Sequence, residues 1–415
     1  MEPLDYLERF LYRVSGAQAT VEAPRCLRAH SGLSECDLCV KSCPVQSIDL
    51  RGGVHVLSHC TGCGVCLAVC PVSAFDLNGA APGQLLSHAA SVLRRGRSLS
   101  ITCERSADVA SADLVLPCLA GLDETVVLGA LALGAQKLSL TRGPCGACPY
   151  TEAMPRYRRT LDRMRRWSRA IPGAAERIVE VGEGEESPEK SQGSKTVGPD
   201  RRAFFAWVRS EGMQLIASLL DDFSEGLHGR RSVEGVSLPL RNRLLPHVLK
   251  KLGVGEEEIP YDPEGPCAEL LLDEIKCNGC EACVRICPTK AIVRGEDEEV
   301  FRLTLEVNRC VNCALCLDAC IPNALTYRQG LSLSAVMGKP KVLVEKPYRR
   351  CSRCEARFLW SEGVESGGFC SACHFLADLE RSPTIPGPDG AGGAAPDVPQ
   401  WEKGQDAEAG QDAGM

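Results

Sequence analysis

The chain has 415 residues, room for two to four domains at roughly 100–200 residues each. An apolar fraction of 44% places it among globular proteins, and a net charge of −7 argues against a general nucleic-acid binder. The 25 cysteines are an odd number, so they cannot all pair as disulfides within one chain. The first residues show no basic stretch followed by an apolar one, and no run reaches the roughly 20 apolar residues of a membrane span. A cytoplasmic chain with reduced thiols is therefore expected, and closely spaced reduced cysteines point to metal ligation.

Residues 1–80 hold eight cysteines. Cys60, Cys63, Cys66 and Cys70, followed by Pro71, have the spacing Cys-x2-Cys-x2-Cys-x3-Cys-Pro. Cys36, Cys39 and Cys43, followed by Pro44, repeat it without the first cysteine. Cys26, separated from Cys36 by nine residues, is the only candidate for that place. The extra residues, about Leu27 to Leu33, would form a small lobe, with Gly32 supplying its turn. The alternative is that Cys26 is a bystander beside a three-ligand or [3Fe–4S] site.

Residues 81–152 change character. Leu85 to Leu93 reads as a helix, Leu99 to Thr102 as a strand ending at Cys103, and Asp113 to Pro117 as a strand ending at Cys118. A helix from Val126 to Leu133 and a strand from Lys137 to Thr141 follow, and then come Cys145 and Cys148. Strands alternating with helices predict a parallel sheet, and all four cysteines then fall at strand C-terminal ends, where such sheets bind ligands. Thr102-Cys103, Leu116-Pro117-Cys118, the helix end at Gly129 and Gly134, and Gly143-Pro144-Cys145 through Cys148-Pro149-Tyr150 carry a resemblance. The segment from Thr102 to Tyr150 resembles the iron–sulfur (delta) subunit of methyl-viologen-reducing hydrogenases, which works beside heterodisulfide reductase. The resemblance implies a [2Fe–2S] centre held by Cys103, Cys118, Cys145 and Cys148. The chain departs from that family in two ways: Cys103 stands without a cysteine neighbour, and the last pair is closer together. Another metal, a bare docking fold and a redox dithiol at Cys145 and Cys148 stay open.

Residues 153–200 begin with seven arginines between Arg156 and Arg169 against the single acid Asp162. This reads as a solvated helix face or as a docking patch for an acidic partner. From Gly182 to Asp200 the composition is that of a flexible linker. In residues 201–260, apolar residues from Phe204 to Phe223 recur at helical spacing, and they are expected to pack with Leu244 to Leu252 as a helical unit. Cys267 reads as a buried thiol.

Within residues 261–335 the spacing returns twice. Cys277, Cys280, Cys283 and Cys287 precede Pro288, and Cys310, Cys313, Cys316 and Cys320 precede Ile321-Pro322. Zinc knots, with two Cys-x2-Cys pairs and a long spacer, fit such runs poorly. The segment resembles the bacterial two-cluster ferredoxins. In that family three thiolates of one loop grip a cubane and the fourth ligates the other cluster. Carried onto this chain, one [4Fe–4S] cluster takes Cys277, Cys280, Cys283 and Cys320, and another takes Cys310, Cys313, Cys316 and Cys287. In the N-terminal module the same crossover gives Cys26, Cys36, Cys39 and Cys70 to one cluster and Cys60, Cys63, Cys66 and Cys43 to the other.

In residues 336–380, the pairs Cys351/Cys354 and Cys370/Cys373 are separated by fifteen residues and resemble a zinc ribbon. A rubredoxin-like iron site is a competitor, as is c-type haem attachment at Cys370, Cys373 and His374. Residues 381–415 read as a disordered acidic tail. The expected fold is a multidomain α+β chain with two dicluster ferredoxin modules, a small α/β parallel-sheet domain, a helical linker unit and the zinc-ribbon-like element.

No phosphate-binding glycine loop and no Ser/His/Asp set stands out. Four [4Fe–4S] clusters, a [2Fe–2S] centre and one Zn2+ point to electron transfer between redox protein partners. Those would be hydrogenase, dehydrogenase or heterodisulfide-reductase-like subunits. The alternatives are an oxidoreductase with its own site at Cys103, Cys118, Cys145 and Cys148, and a redox-sensing regulator that uses the zinc ribbon.

Overall fold

The computed structural model describes residues 18–77, 82–182, 238–360 and 367–381. The stripe from Phe204 to Phe223, the linker beyond Gly182 and the tail from Ser382 lie outside the described residues. The chain divides into a large unit, within 1–349 and 359–364, and a small one, within 350–358 and 365–415. None of the described helices is long and apolar enough to cross a membrane.

The N-terminal module has two short antiparallel strand pairs. β1 (Thr20–Val21) lies against β4 (Phe75–Asp76), and β2 (Ile48–Asp49) against β3 (His55–Val56). Its helices are α1 (Leu27–His30), α2 (Leu38–Ser42) and α3 (Val65–Val69). α2 ends at Cys43 and α3 at Cys70, because Pro44 and Pro71 come next and proline disfavours helical geometry in the residue before it. The inserted lobe is α1 with a turn at Gly32 and Leu33, pinned by Leu27, which is 2% exposed.

The α/β segment is built on a parallel sheet in the order β6-β5-β7-β8. Its strands are β5 (Ser98–Cys103), β6 (Leu114–Leu116), β7 (Lys137–Thr141) and β8 (Ile178–Val181). β8 pairs parallel to β7 and extends this segment past residue 152, where the sequence reading ended it. Three helices belong to the segment: α4 (Pro82–Leu93) before its strands, α5 (Glu124–Ala132) between β6 and β7, and α6 (Met154–Arg169) between β7 and β8. Every residue of α5 is buried, so it is a core helix rather than an amphipathic one. The Asp123 carboxylate caps it by accepting from Val126 N at 3.1 Å. α4, α6 and a later helix, α7 (Leu240–Lys251), all pack on α5. Leu244 to Leu252 therefore belongs to the core of the α/β segment.

The second module pairs β10 (Leu270–Leu272) with β13 (Leu325–Tyr327). Preceding them, β9 (Glu258–Pro260) lies against β14 (Gly330–Ser332). β12 (Val300–Leu305) sits between β11 (Ile292–Arg294) and β15 (Lys341–Arg350). Helices α8 (Ala282–Ile286) and α9 (Leu315–Asp318) carry its middle cysteines. The two modules are joined by a shared apolar cluster: Val311 and Leu315 pack with Ala19, Leu27, Ile48 and Phe75, and Ile286 and Cys313 sit at its edge. His30 Nε2 lies 3.1 Å from Ile286 O across the same join.

The candidate iron–sulfur sites

The cysteines converge in quartets. One cavity is lined by Cys43, Cys60, Cys63 and Cys66. A second is lined by Cys277, Cys280, Cys283 and Cys320, and a third by Cys287, Cys310, Cys313 and Cys316. Cys26, Cys36, Cys39 and Cys70 form the fourth set: burial first, and then the charges of Cys70, Cys36 and Cys26, push the Cys39 thiol up to about 12. Burial likewise raises Cys63 to about 11, with Cys43 and Cys60 adding to it, and Cys283 to about 12, with Cys277, Cys280 and Cys320 adding to it. Buried thiolates facing one another oppose ionisation, and a cationic centre is what makes four of them compatible in one cavity. The donor set therefore fits iron–sulfur clusters.

The backbone repeats around each set. The fourth cysteine of every run accepts from the N–H four residues on: Ser47 N to Cys43 Sγ is 3.3 Å, and Ala74 to Cys70, Ala291 to Cys287 and Ala324 to Cys320 are each 3.2 Å. These bonds require a left-handed residue three places after the cysteine, and Gln46, Ser73, Lys290 and Asn323 all have φ between 49° and 55°. Three loops also carry a left-handed pair: Gly62 and Gly64, Gly279 and Glu281, Asn312 and Ala314. The loop at Cys36 lacks the pair, with Asp37 at φ −138°, and its first ligand candidate, Cys26, stands at the start of α1 rather than in the loop itself.

Cys103, Cys118, Cys145 and Cys148 line one cavity together with Arg105, Arg142, Tyr150 and Tyr157. Gly143 N donates to Cys103 Sγ at 3.3 Å and Tyr150 N to Cys148 Sγ at 3.4 Å. Burial pushes Cys118 up to about 12, with Cys63 of the N-terminal module, Cys103 and Cys148 adding to it. This cavity thus adjoins the Cys43/Cys60/Cys63/Cys66 set. At the join, a Cβ on Gly121 would lie 3.1 Å from Gly64 C and 3.2 Å from Cys63 O, so the two backbones touch where neither carries a side chain.

In the small unit the sulfurs of Cys351, Cys354, Cys370 and Cys373 all lie within 4.8 Å of one another. Cys354 Sγ is 3.7 Å from Cys370 Sγ, against an edge of about 3.8 Å for a tetrahedron with 2.3 Å metal–sulfur bonds. Desolvation raises the Cys351 thiol, but the N–H groups of Cys370, Cys354 and Arg353 outweigh it and hold the thiol at about 6. Cys267, 2% exposed, is a buried thiol pushed far up by its burial, and it lines none of these cavities.

The arginine helix departs from the solvated-face reading. Arg156 and Arg163 of α6 are 3% and 1% exposed. Arg163 pairs with Glu124 at 3.3 Å and with Asp262 at 2.9 Å. A further arginine that spacing could not single out, Arg241 of α7, is 8% exposed. Its Nη1 donates to Ala68 O at 3.3 Å, and Arg156 Nη2 donates to the same carbonyl at 3.4 Å. The only sequence signal is at Ala68 itself: Lys41, Arg285 and Asp318, exposed charged residues, hold the matching place in the other three runs.

Repeated cysteine cavities with N–H donors at the sulfurs define an iron–sulfur protein. Residues 276–324 match the 4Fe-4S dicluster domain and residues 34–79 the LdpA Fe-S cluster-binding domain. A 60-residue stretch, 14% of the chain, is 33% identical to an uncharacterised ferredoxin of Methanocaldococcus jannaschii and covers 78% of it. Through that stretch the chain belongs to the ferredoxins, a family whose iron–sulfur domains point to electron transfer.

Proposed function

We propose that the chain conducts electrons along a line of five iron–sulfur centres and passes them between subunits of a hydrogenase- or heterodisulfide-reductase-like complex. Cys277/Cys280/Cys283/Cys320 and Cys287/Cys310/Cys313/Cys316 hold two [4Fe–4S] clusters. Cys26/Cys36/Cys39/Cys70 and Cys43/Cys60/Cys63/Cys66 hold two more. Cys103, Cys118, Cys145 and Cys148 hold a [2Fe–2S] centre, as in the delta subunit of methyl-viologen-reducing hydrogenases. The clusters supply reversible one-electron chemistry, and the protein sets their spacing, burial and local charge.

What supports this reading is continuity. α8 and α9 link the two quartets of the second module, and Cys283 acts on Cys316 across them. Cys313 sits at the apolar join with the N-terminal module, within which Cys39 acts on Cys66. Cys118 then meets Cys63. At the far end Cys280 is exposed, so electrons have an entrance there. In the small unit, Zn2+ on Cys351, Cys354, Cys370 and Cys373 fastens a segment too short to bury a core of its own. The test is anaerobic iron, sulfide and zinc analysis, which should return about eighteen irons and one zinc. Eight irons or fewer would refute the reading.

A second reading, an active site of the chain's own, is favoured by the α/β cavity, where Arg105 and Arg142 stand beside the cysteines. It requires the isolated protein to turn over a disulfide or a similar acceptor.

A further inference from the structure

Ala68 lies in α3 between Cys66 and Cys70, which line different quartets of the N-terminal module. Its carbonyl receives two guanidinium groups, one from α6 and one from α7. Both are more than nine-tenths buried, and the Nε atoms of Arg156 and Arg241 have no hydrogen-bond partner. Nearby carboxylates oppose this charge, three against the three arginines of the network. Asp123 and Glu124 face the arginines from the start of α5, and Arg163 and Asp262 complete a buried ion network. Arg156 and Arg241 are the members that reach α3 itself. In the second module the matching positions carry Arg285 and Asp318, both exposed, and among the described residues its buried cation is the single Lys346, which acts on Cys277.

We propose that the buried pair Arg156 and Arg241 is a potential-setting device that makes the two N-terminal clusters easier to reduce than the two of the second module. The inference rests on the reading of both modules as cluster carriers. A cluster gains negative charge on reduction, and a cation buried beside it favours the reduced form more strongly the lower the local dielectric. Water screens the charges on Arg285 and Asp318, which leaves the second module the one buried cation Lys346 against the two buried arginines over α3. Arg156 and Arg241 act here as positioning residues: they touch the peptide that carries the ligands rather than the clusters. Electrons entering at the exposed Cys280 would then run downhill to the N-terminal module and collect beside the α/β centre.

The test is anaerobic redox titration of the full-length holoprotein, followed by electron paramagnetic resonance. Signals are assigned to modules by their loss in Cys66→Ser and Cys283→Ser. Arg241→Gln and Arg156→Gln should each lower the reduced-to-oxidised ratio of the N-terminal clusters roughly tenfold at fixed solution potential, as expected for one charge removed at low dielectric. The second-module signals should stay in place, and Arg241→Lys should restore most of the shift. Iron content separates the two claims: a wild type short of iron defeats the cluster reading, whereas full iron with unmoved potentials in both glutamine variants defeats only this one. An equal shift in all clusters would also overturn it. Should both glutamine variants lose iron, Glu124→Gln decides: removing this counter-charge should raise the reduced-to-oxidised ratio of the N-terminal clusters, and an unmoved ratio would overturn the proposal.

Discussion

The two cysteine-rich modules share a ligand rhythm and differ in what surrounds it. In the N-terminal module Cys39, Cys63, Cys66 and Cys70 are buried, and α3 is covered by arginines from α6 and α7. In the second module Cys280 is exposed, and Ile275 and Ile321, beside the ligand candidates Cys277 and Cys320, are 70% and 90% exposed. Spacing therefore fixes where a cluster can be held, and the neighbouring elements fix whether it meets solvent or charge.

The comparison can be broken most severely at Cys26, the one ligand candidate that the N-terminal module draws from an inserted lobe. Cys26→Ala should cost about one cluster's worth of iron, four atoms, by anaerobic metal analysis, because each iron of a cubane calls for its own ligand. Unchanged iron would make Cys26 a bystander. The charge layer over the N-terminal module is tested next. Glu124→Gln leaves Arg163 with only part of its counter-charge, and breaking a buried pair costs about 3–5 kcal/mol, visible as a lower denaturant midpoint. A midpoint within experimental error of the wild type would mean that Asp262 suffices.

Gly121→Val probes the join to the α/β segment. The new side chain would run into Gly64 and the Cys63 carbonyl, and forced overpacking costs about 1–3 kcal/mol. At unchanged iron content, flash reduction should show slower electron arrival at the α/β centre. An unaltered rate would place the route elsewhere. The smallest effect belongs to the exposed end of the second module: Ile321→Ser should change stability by less than about 0.5 kcal/mol, read as an unchanged thermal midpoint. A marked loss would show that Ile321 is covered.

What could be read from the chain was local. The Cys-x2-Cys rhythm places three ligand candidates within one loop, and the strand of Lys137–Thr141 has the same bounds in sequence pattern and structure. What could not be read was lateral. Arg241 reaches a carbonyl 173 residues away, and no periodicity encodes that. The arginines of α6 look like a solvated face because their acidic partners stand 39 and 99 residues off, at Glu124 and Asp262. β8 is four residues long and carries a charged Glu180, so its alternation was too brief to separate from the linker that follows.

The central claim is a continuous line of centres, and the most direct measurement is electron paramagnetic resonance of the fully reduced, anaerobically prepared protein. Centres held in successive contact should give broadened spectra from spins acting on one another, and Gly121→Val should narrow part of that broadening. A set of sharp, independent signals, each behaving as an isolated cluster, would contradict the line.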